Sequence, residues 1–325
     1  MVTTQAPSAR PARAPRRRRS HGGAVLVVLV VLVGGVGAGW AWLHGAVGSI
    51  PVRQYCTALV GDSMGDVDPE QAGNAAVIAA VAVRRGLPAR AASIGIATAM
   101  QESKLRNIDY GDRDSLGLFQ QRPSQGWGTA KQVQDPVYAS NAFYDVLVKV
   151  EGYQSLPITD AAQKVQRSAF PTAYEQHEPE ARALASALTG YSPATFTCTL
   201  RSADVAVQSP GARGLTPRAA ALVAAAKTET GRTGAASPAD DTTGPDGDSR
   251  GTAGTAVKFA LAGREGGRTA WALASWAVAR ADALAVTSVQ VDGRQWRRDA
   301  SGDGWTALTD GPPTGTVVVH VAAGG

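Results

Sequence analysis

Apolar positions fall along this chain in three different rhythms. From Ala24 to Leu43, 20 residues carry no charge, the length a helix needs to cross a bilayer. From Asp68 to Gly190 the rhythm is helical. Asp68-Pro69 predicts a helix start, with Asp as cap and Pro in the first turn. That helix runs through Ala72, Ala75, Ala76, Val77 and Ile78 to Gly86, which ends it. Pro88 to Lys104 reads as a second helix whose residues 91–100 are almost all small or apolar. Asp135-Pro136 opens a third, with Tyr138, Ala142, Phe143, Val146 and Val150 as its buried stripe. Thr159 opens a fourth, and Ala181 to Gly190 closes the set. Past Cys198 a helix over Pro217–Thr228, capped by Thr216, precedes a change to period two. Ala256–Leu261, Val286–Val291, Gln295–Arg297 and Thr316–Val321 read as strands around a helix at Arg268–Leu284, with Asp-Gly and Pro-Pro turns between them.

Charge sharpens this division. Residues 1–23 hold six arginines (Arg10, Arg13, Arg16, Arg17, Arg18, Arg19) and no acid, more than the net charge of +5 for the whole chain. The basic character therefore belongs to the tail, and its position directly before an apolar span argues for a membrane surface and against nucleic acid. Arginines on that side predict a cytoplasmic N-terminus and an external remainder, with Trp40 and Trp42 at the far interface. A cleaved leader is the rival reading, but its apolar core is normally shorter. Gly35 and Gly39 add a small-xxx-small pair, a weak basis for homodimer contact within the span.

The expected organisation is thus a tail (1–23), a transmembrane helix (24–43), a linker (44–55), a mainly α domain (56–200), a connecting helix (201–230), a Gly-, Asp- and Thr-rich linker (231–254) and a small α+β domain (255–325). Cys56 and Cys198, the only cysteines, flank the α domain. In an exported chain two lone cysteines predict a disulfide; the alternative is a pair of small buried apolar residues.

The candidate chemistry centres on Glu102. It falls near the C-terminal end of a largely buried helix, where the helix dipole and the apolar surroundings both favour a protonated carboxyl. Those conditions suit a general acid. The plain alternative is an ordinary helix-end glutamate paired with Lys104 or Arg106. Asp109, Asp112 and Asp114 follow in a polar turn and are candidates for a second carboxylate across a scissile bond. They lack the ligand spacing, central Gly and closing Glu of a calcium loop, and no metal or cofactor is expected.

Glu102-Ser103, followed by Gly117-Leu118-Phe119-Gln120, resembles the Glu-Ser and Gly-Leu-Met-Gln motifs of the lysozyme-like, soluble lytic transglycosylase superfamily. Arg122-Pro123, Gly126-Trp127-Gly128-Thr129 and Val165-Gln166-Arg167-Ser168-Ala169-Phe170-Pro171 resemble a membrane-anchored actinobacterial branch of it. The likeness covers residues 72–190. It implies a lysozyme-like fold and glycan strands of peptidoglycan as the partner. It also implies Glu102 as acid and then base, and a cleft where Ser103, Gly117, Leu118, Phe119, Gln120 and Trp127 meet the sugar. The superfamily's usual Tyr-Asn pair is absent here, and Val-Gln-Arg-Ser stands in its place, so no subsite contact transfers to Gln166 or Tyr174.

The last domain is weakly similar to D-Ala-D-Ala carboxypeptidases, but Gly251 and Lys258 occupy two positions of the zinc-binding pattern and His320 alone persists near the end. One imidazole cannot hold catalytic zinc, which implies a degenerate, metal-free domain. The residues leave two readings open: a glycan-cleaving membrane enzyme, or a catalytically silent wall-binding or scaffolding protein.

Overall fold

The structure is a computed structural model describing residues 53–167, 172–236, 253–261 and 266–324, together with Val2. The predicted tail, the apolar span with Gly35 and Gly39, and most of the 231–254 linker lie outside the described residues. No described helix is long and apolar enough to cross a membrane.

Residues 53–325 form one compact unit of mixed α and β structure. Three strands, β1 (Tyr55–Val60), β2 (Ser63–Val67) and β3 (Phe196–Thr199), form an antiparallel sheet in the order β2-β1-β3. Helices α1 (Pro69–Arg84), α2 (Ala89–Ser103), α3 (Ala130–Val133), α4 (Pro136–Leu147), α5 (Ile158–Gln166) and α6 (Glu178–Leu188) lie between β2 and β3 in the chain. After α7 (Pro217–Thr230) come β4 (Ala235–Ala236), β5 (Ala256–Ala260), α8 (Gly266–Ala279), β6 (Val286–Val291), β7 (Arg294–Arg297), β8 (Trp305–Ala307) and β9 (Thr316–Val321). These six strands form a second antiparallel sheet in the order β4-β5-β9-β6-β7-β8.

The core is organised around α1. Asp68 caps it, in a reciprocal box with Gln71 that satisfies two otherwise orphaned backbone donors. Every residue from Ala72 to Ala82 is buried. A helix apolar on all sides must be surrounded, and its alanines allow neighbours to approach closely. α2, α4, α6, α7 and α8 all pack on it, so helices from before and after β3 share one centre.

Polar contacts lock the C-terminal sheet to the first half. The indole of Trp296 donates to the Cys198 carbonyl at 3.3 Å, and that of Trp305 to the Phe196 carbonyl at 2.7 Å. On the helical side, buried Glu229 accepts from the Trp276 indole (2.7 Å) and the Arg280 guanidinium (3.0 Å). Burial pushes the Glu229 carboxyl above its ordinary pKa despite the cation beside it.

The predicted disulfide is present: Cys56 and Cys198 face each other in register across β1 and β3. One expectation is corrected. The buried stripe of α4 is Ala139, Ser140, Phe143, Tyr144 and Leu147, one residue out of phase with Tyr138, Ala142 and Val146. Tyr144 sets that phase, because its hydroxyl reaches the Ile78 carbonyl on α1 at 3.0 Å. Val146 is turned instead towards an open cleft.

Candidate active site

Glu102 sits in the last turn of α2, half-buried. The helix ends because Lys104 and Leu105 both take up left-handed backbone, with φ of 56° and 58°. Arg106 is thereby carried away to the carboxylates of Asp68 and Glu70, and neither it nor Lys104 forms an ion pair with Glu102 among the described residues. Instead the hydroxyl of Tyr174, itself fully buried, donates to Glu102 Oε1 at 2.7 Å. The Gln166 side chain is a second polar group against the same carboxyl. Burial raises the Glu102 pKa, and the hydrogen bonds from Tyr174 and Gln166 oppose part of that rise. A carboxyl that holds its proton more tightly than usual, with no cation paired to it among the described residues, suits a proton donor.

The segment 116–121 is held by the two neighbours of this acid, Ser103 and Gln166. Leu116 and Gln121 form a two-residue bridge with two backbone hydrogen bonds of 3.1 Å. Ser103 Oγ donates to the Leu118 carbonyl at 2.8 Å, and Gln166 Nε2 to the Phe119 carbonyl at 2.7 Å. Ser103, Leu118 and Phe119 belong to the packing of this segment. All three are buried, and Phe119 stacks on Phe143 with ring centroids 4.7 Å apart. They hold the segment in place.

Gly117 is also explained from within. Its φ is +76°, and a Cβ there would lie 2.3 Å from the Val133 carbonyl oxygen, so close backbone packing requires glycine. Gly117→Ala should destabilise the protein by about 1–3 kcal/mol, read as a lower denaturation midpoint; an unchanged midpoint would contradict this packing.

Gln120 and Trp127 both line a cleft of about 670 Å³ that also reaches Gln166, Arg113, Arg122 and Arg167. Gln120 is braced by the Tyr110 and Gly117 carbonyls (3.2 and 3.4 Å). Gly111 leaves room for it, since a Cβ at that position would come within 1.9 Å of Gln120 Oε1. Trp127 packs one side on the core while lining the cleft.

The three aspartates separate. Asp114 accepts from Arg122 Nε (2.9 Å), Ser124 N (2.7 Å) and Ser124 Oγ (2.9 Å). These bonds hold its carboxyl far below the usual range, so it is a brace for the loop. Asp109 is exposed and does not line the cleft, whereas Asp112 does. Asp112 is thus the one of the three that lines the cleft.

Backbone strain concentrates here. Among the described residues, eight non-glycine residues have positive φ. Lys104 and Leu105 directly follow Glu102-Ser103, and Arg113, Gln120 and Arg167 line the cleft. Each such conformation costs about 1–3 kcal/mol and persists where surrounding structure enforces it, commonly at functional sites.

Tyr174 and Gln166 are the site residues that sequence reasoning passed over. Neither is marked by a local signal, and only the three-dimensional path brings Tyr174 to a residue 72 positions earlier. Ser168 to Pro171, part of the motif likeness, lie outside the described residues, as do Ser249 to Thr252. Among the described residues no group of three His, Cys, Asp or Glu is placed to hold a metal ion. The fold and site together define a mixed α+β protein with a shielded carboxylic acid, linked through Gln166 to an open cleft. No known family matches the sequence, and no curated protein matches it; the lysozyme-like resemblance rests on the short residue blocks given above.

Proposed function

We propose that this is a membrane-anchored enzyme that cuts the glycan strands of peptidoglycan, with Glu102 as general acid and then general base. One observation carries the reading: a half-buried carboxyl, raised in pKa and held by a buried tyrosine at 2.7 Å, has against it Gln166, which lines a cleft of about 670 Å³. Protonated Glu102 would give its proton to the glycosidic oxygen between N-acetylmuramic acid and N-acetylglucosamine. The resulting carboxylate would take a proton from the attacking hydroxyl, either the sugar's own 6-hydroxyl, leaving an anhydro end, or a water, leaving a reducing end. Tyr174 and Gln166 aim the carboxyl and stabilise its charged form between the two transfers. Gln120 and Trp127 supply a polar contact and an apolar face for the sugar. The apolar span at 24–43 and the arginines before it support an anchor with the catalytic unit outside. The C-terminal sheet, similar to a peptidase domain that has lost its metal pattern, serves here as a support that grips β3.

The proposal makes a signed prediction about pH. The Tyr174 hydroxyl stabilises ionised Glu102, so Tyr174→Phe raises the carboxyl's pKa further. The protonated acid then survives to higher pH, and the basic limb of kcat/KM on purified glycan strands moves upward while the maximum rate falls. A basic limb that stays in place, or moves down, would separate Tyr174 from the acid and remove the support for the reading.

A further inference from the structure

We propose that the cleft selects glycans that carry carboxylates beside the scissile bond, and that Arg113 and Arg167 read them. The proposal deepens the glycan reading above and rests on it. Three arginines line the cleft against one acid, Asp112. Arg122 is already committed, since its Nε and Nη2 bind Asp114 and Ser124. Arg167 makes no ion pair or side-chain hydrogen bond among the described residues, and it is exposed. Among the described residues Arg113 meets only Asp112, at 3.9 Å, with both side chains largely in solvent (70% and 88%); an ion pair of that kind is weak and easily exchanged.

The two arginines enter the cleft from separate elements, Arg113 from the 107–116 turn and Arg167 from the C-cap of α5. Both occupy left-handed backbone, at φ 56° and 53°, where a small residue would sit at lower cost. A neutral sugar chain gives two guanidinium groups nothing to pair with, whereas a planar carboxylate matches their donor fork. The lactyl ether of muramic acid offers such a carboxylate directly when unsubstituted. When it bears a stem peptide, the peptide's acidic residues offer it instead.

The test uses full-length protein in detergent with Glu102→Gln, which holds ligand without turnover. Three tetrasaccharides are titrated calorimetrically: the peptide-bearing wall glycan, the same glycan stripped of peptide, and neutral chitotetraose. The carboxylate-bearing glycans should bind more tightly than chitotetraose. Adding Arg113→Gln and Arg167→Gln should weaken their binding by roughly 2- to 30-fold, so that the anionic-to-neutral ratio falls towards one. The preference should also shrink at high salt. Arg294→Gln, which removes an exposed cation on β7, should leave the ratio intact. Loss confined to the peptide-bearing glycan assigns the contact to the peptide, and loss for both anionic forms assigns it to the lactyl position.

Equal affinity for all three ligands, or an equal effect from Arg294→Gln, would overturn the proposal. Arginine-dependent binding together with no cleavage by the wild type would instead sink the catalytic reading while leaving the carboxylate selection in place.

Discussion

Glu102→Gln is expected to lower kcat/KM for glycan-strand cleavage by about 10²–10⁴-fold, the usual contribution of a positioned acid–base group. Glutamine keeps the shape and can still accept from Tyr174 Oη, so the cleft and ligand binding should survive. What disappears is the transferable proton. The same change should raise stability, with a definite pH dependence. The Glu102 pKa is raised in the folded protein, so the folded state binds a proton that the unfolded state has already released. Stability attached to this group is complete below the unfolded pKa of about 4.3 and declines as pH rises through the folded value. Glutamine does not ionise. The variant should therefore unfold at higher denaturant than wild type at pH 8, and at nearly the same denaturant at pH 4. A variant that loses activity and is also less stable at pH 8 would point to a damaged fold in place of a missing acid.

Removing the disulfide should have the largest effect on stability. Cys56 and Cys198 are 142 residues apart in sequence, and the loop they close contains α1 to α6. Loop-closure entropy for a chain of this length gives a ceiling of about 5 kcal/mol, and loss of a native bridge commonly costs about 2–5 kcal/mol. Cys56→Ser with Cys198→Ser should therefore remove a large part of the folding free energy. The effect should extend to the C-terminal sheet, because Trp296 and Trp305 bind carbonyls on the strand that carries Cys198. Urea denaturation followed by tryptophan fluorescence reads both halves together. A shift below about 1 kcal/mol would show that β1 and β3 are held by other contacts.

Much of this fold was legible where the signals are local. Asp68-Pro69 and Asp135-Pro136 start helices as their capping chemistry dictates, and the apolar run before Glu102 forms the buried helix it predicts. The alternating segments at Ala256–Ala260, Val286–Val291 and Thr316–Val321 are strands. The first sheet was not legible. β3 has four residues and pairs with β1 from the far end of the domain, while Leu59 and Met64 on β1 and β2 are exposed and blur the alternation.

The site was legible in its acid and partly obscured in its surroundings. Gly-Leu-Phe-Gln looks like a ligand-facing motif, yet three of its four residues serve packing, and only Gln120 reaches the cleft. Tyr174 gives no local signal, since its role depends on the chain returning to the end of α2. The packing of α7 and α8 on α1 was also hidden, because a Gly- and Asp-rich stretch reads as a linker whatever it connects.

The most direct test of a proton-donating Glu102 is mass analysis of purified wall glycan after digestion by full-length wild-type protein and by Glu102→Gln. Wild type should release fragments with new muramic acid ends, either anhydro or reducing, which differ by one water, and the variant should release almost none. Equal release by both proteins would contradict the assignment of the acid, and no release by either would leave a wall-binding protein in place of an enzyme.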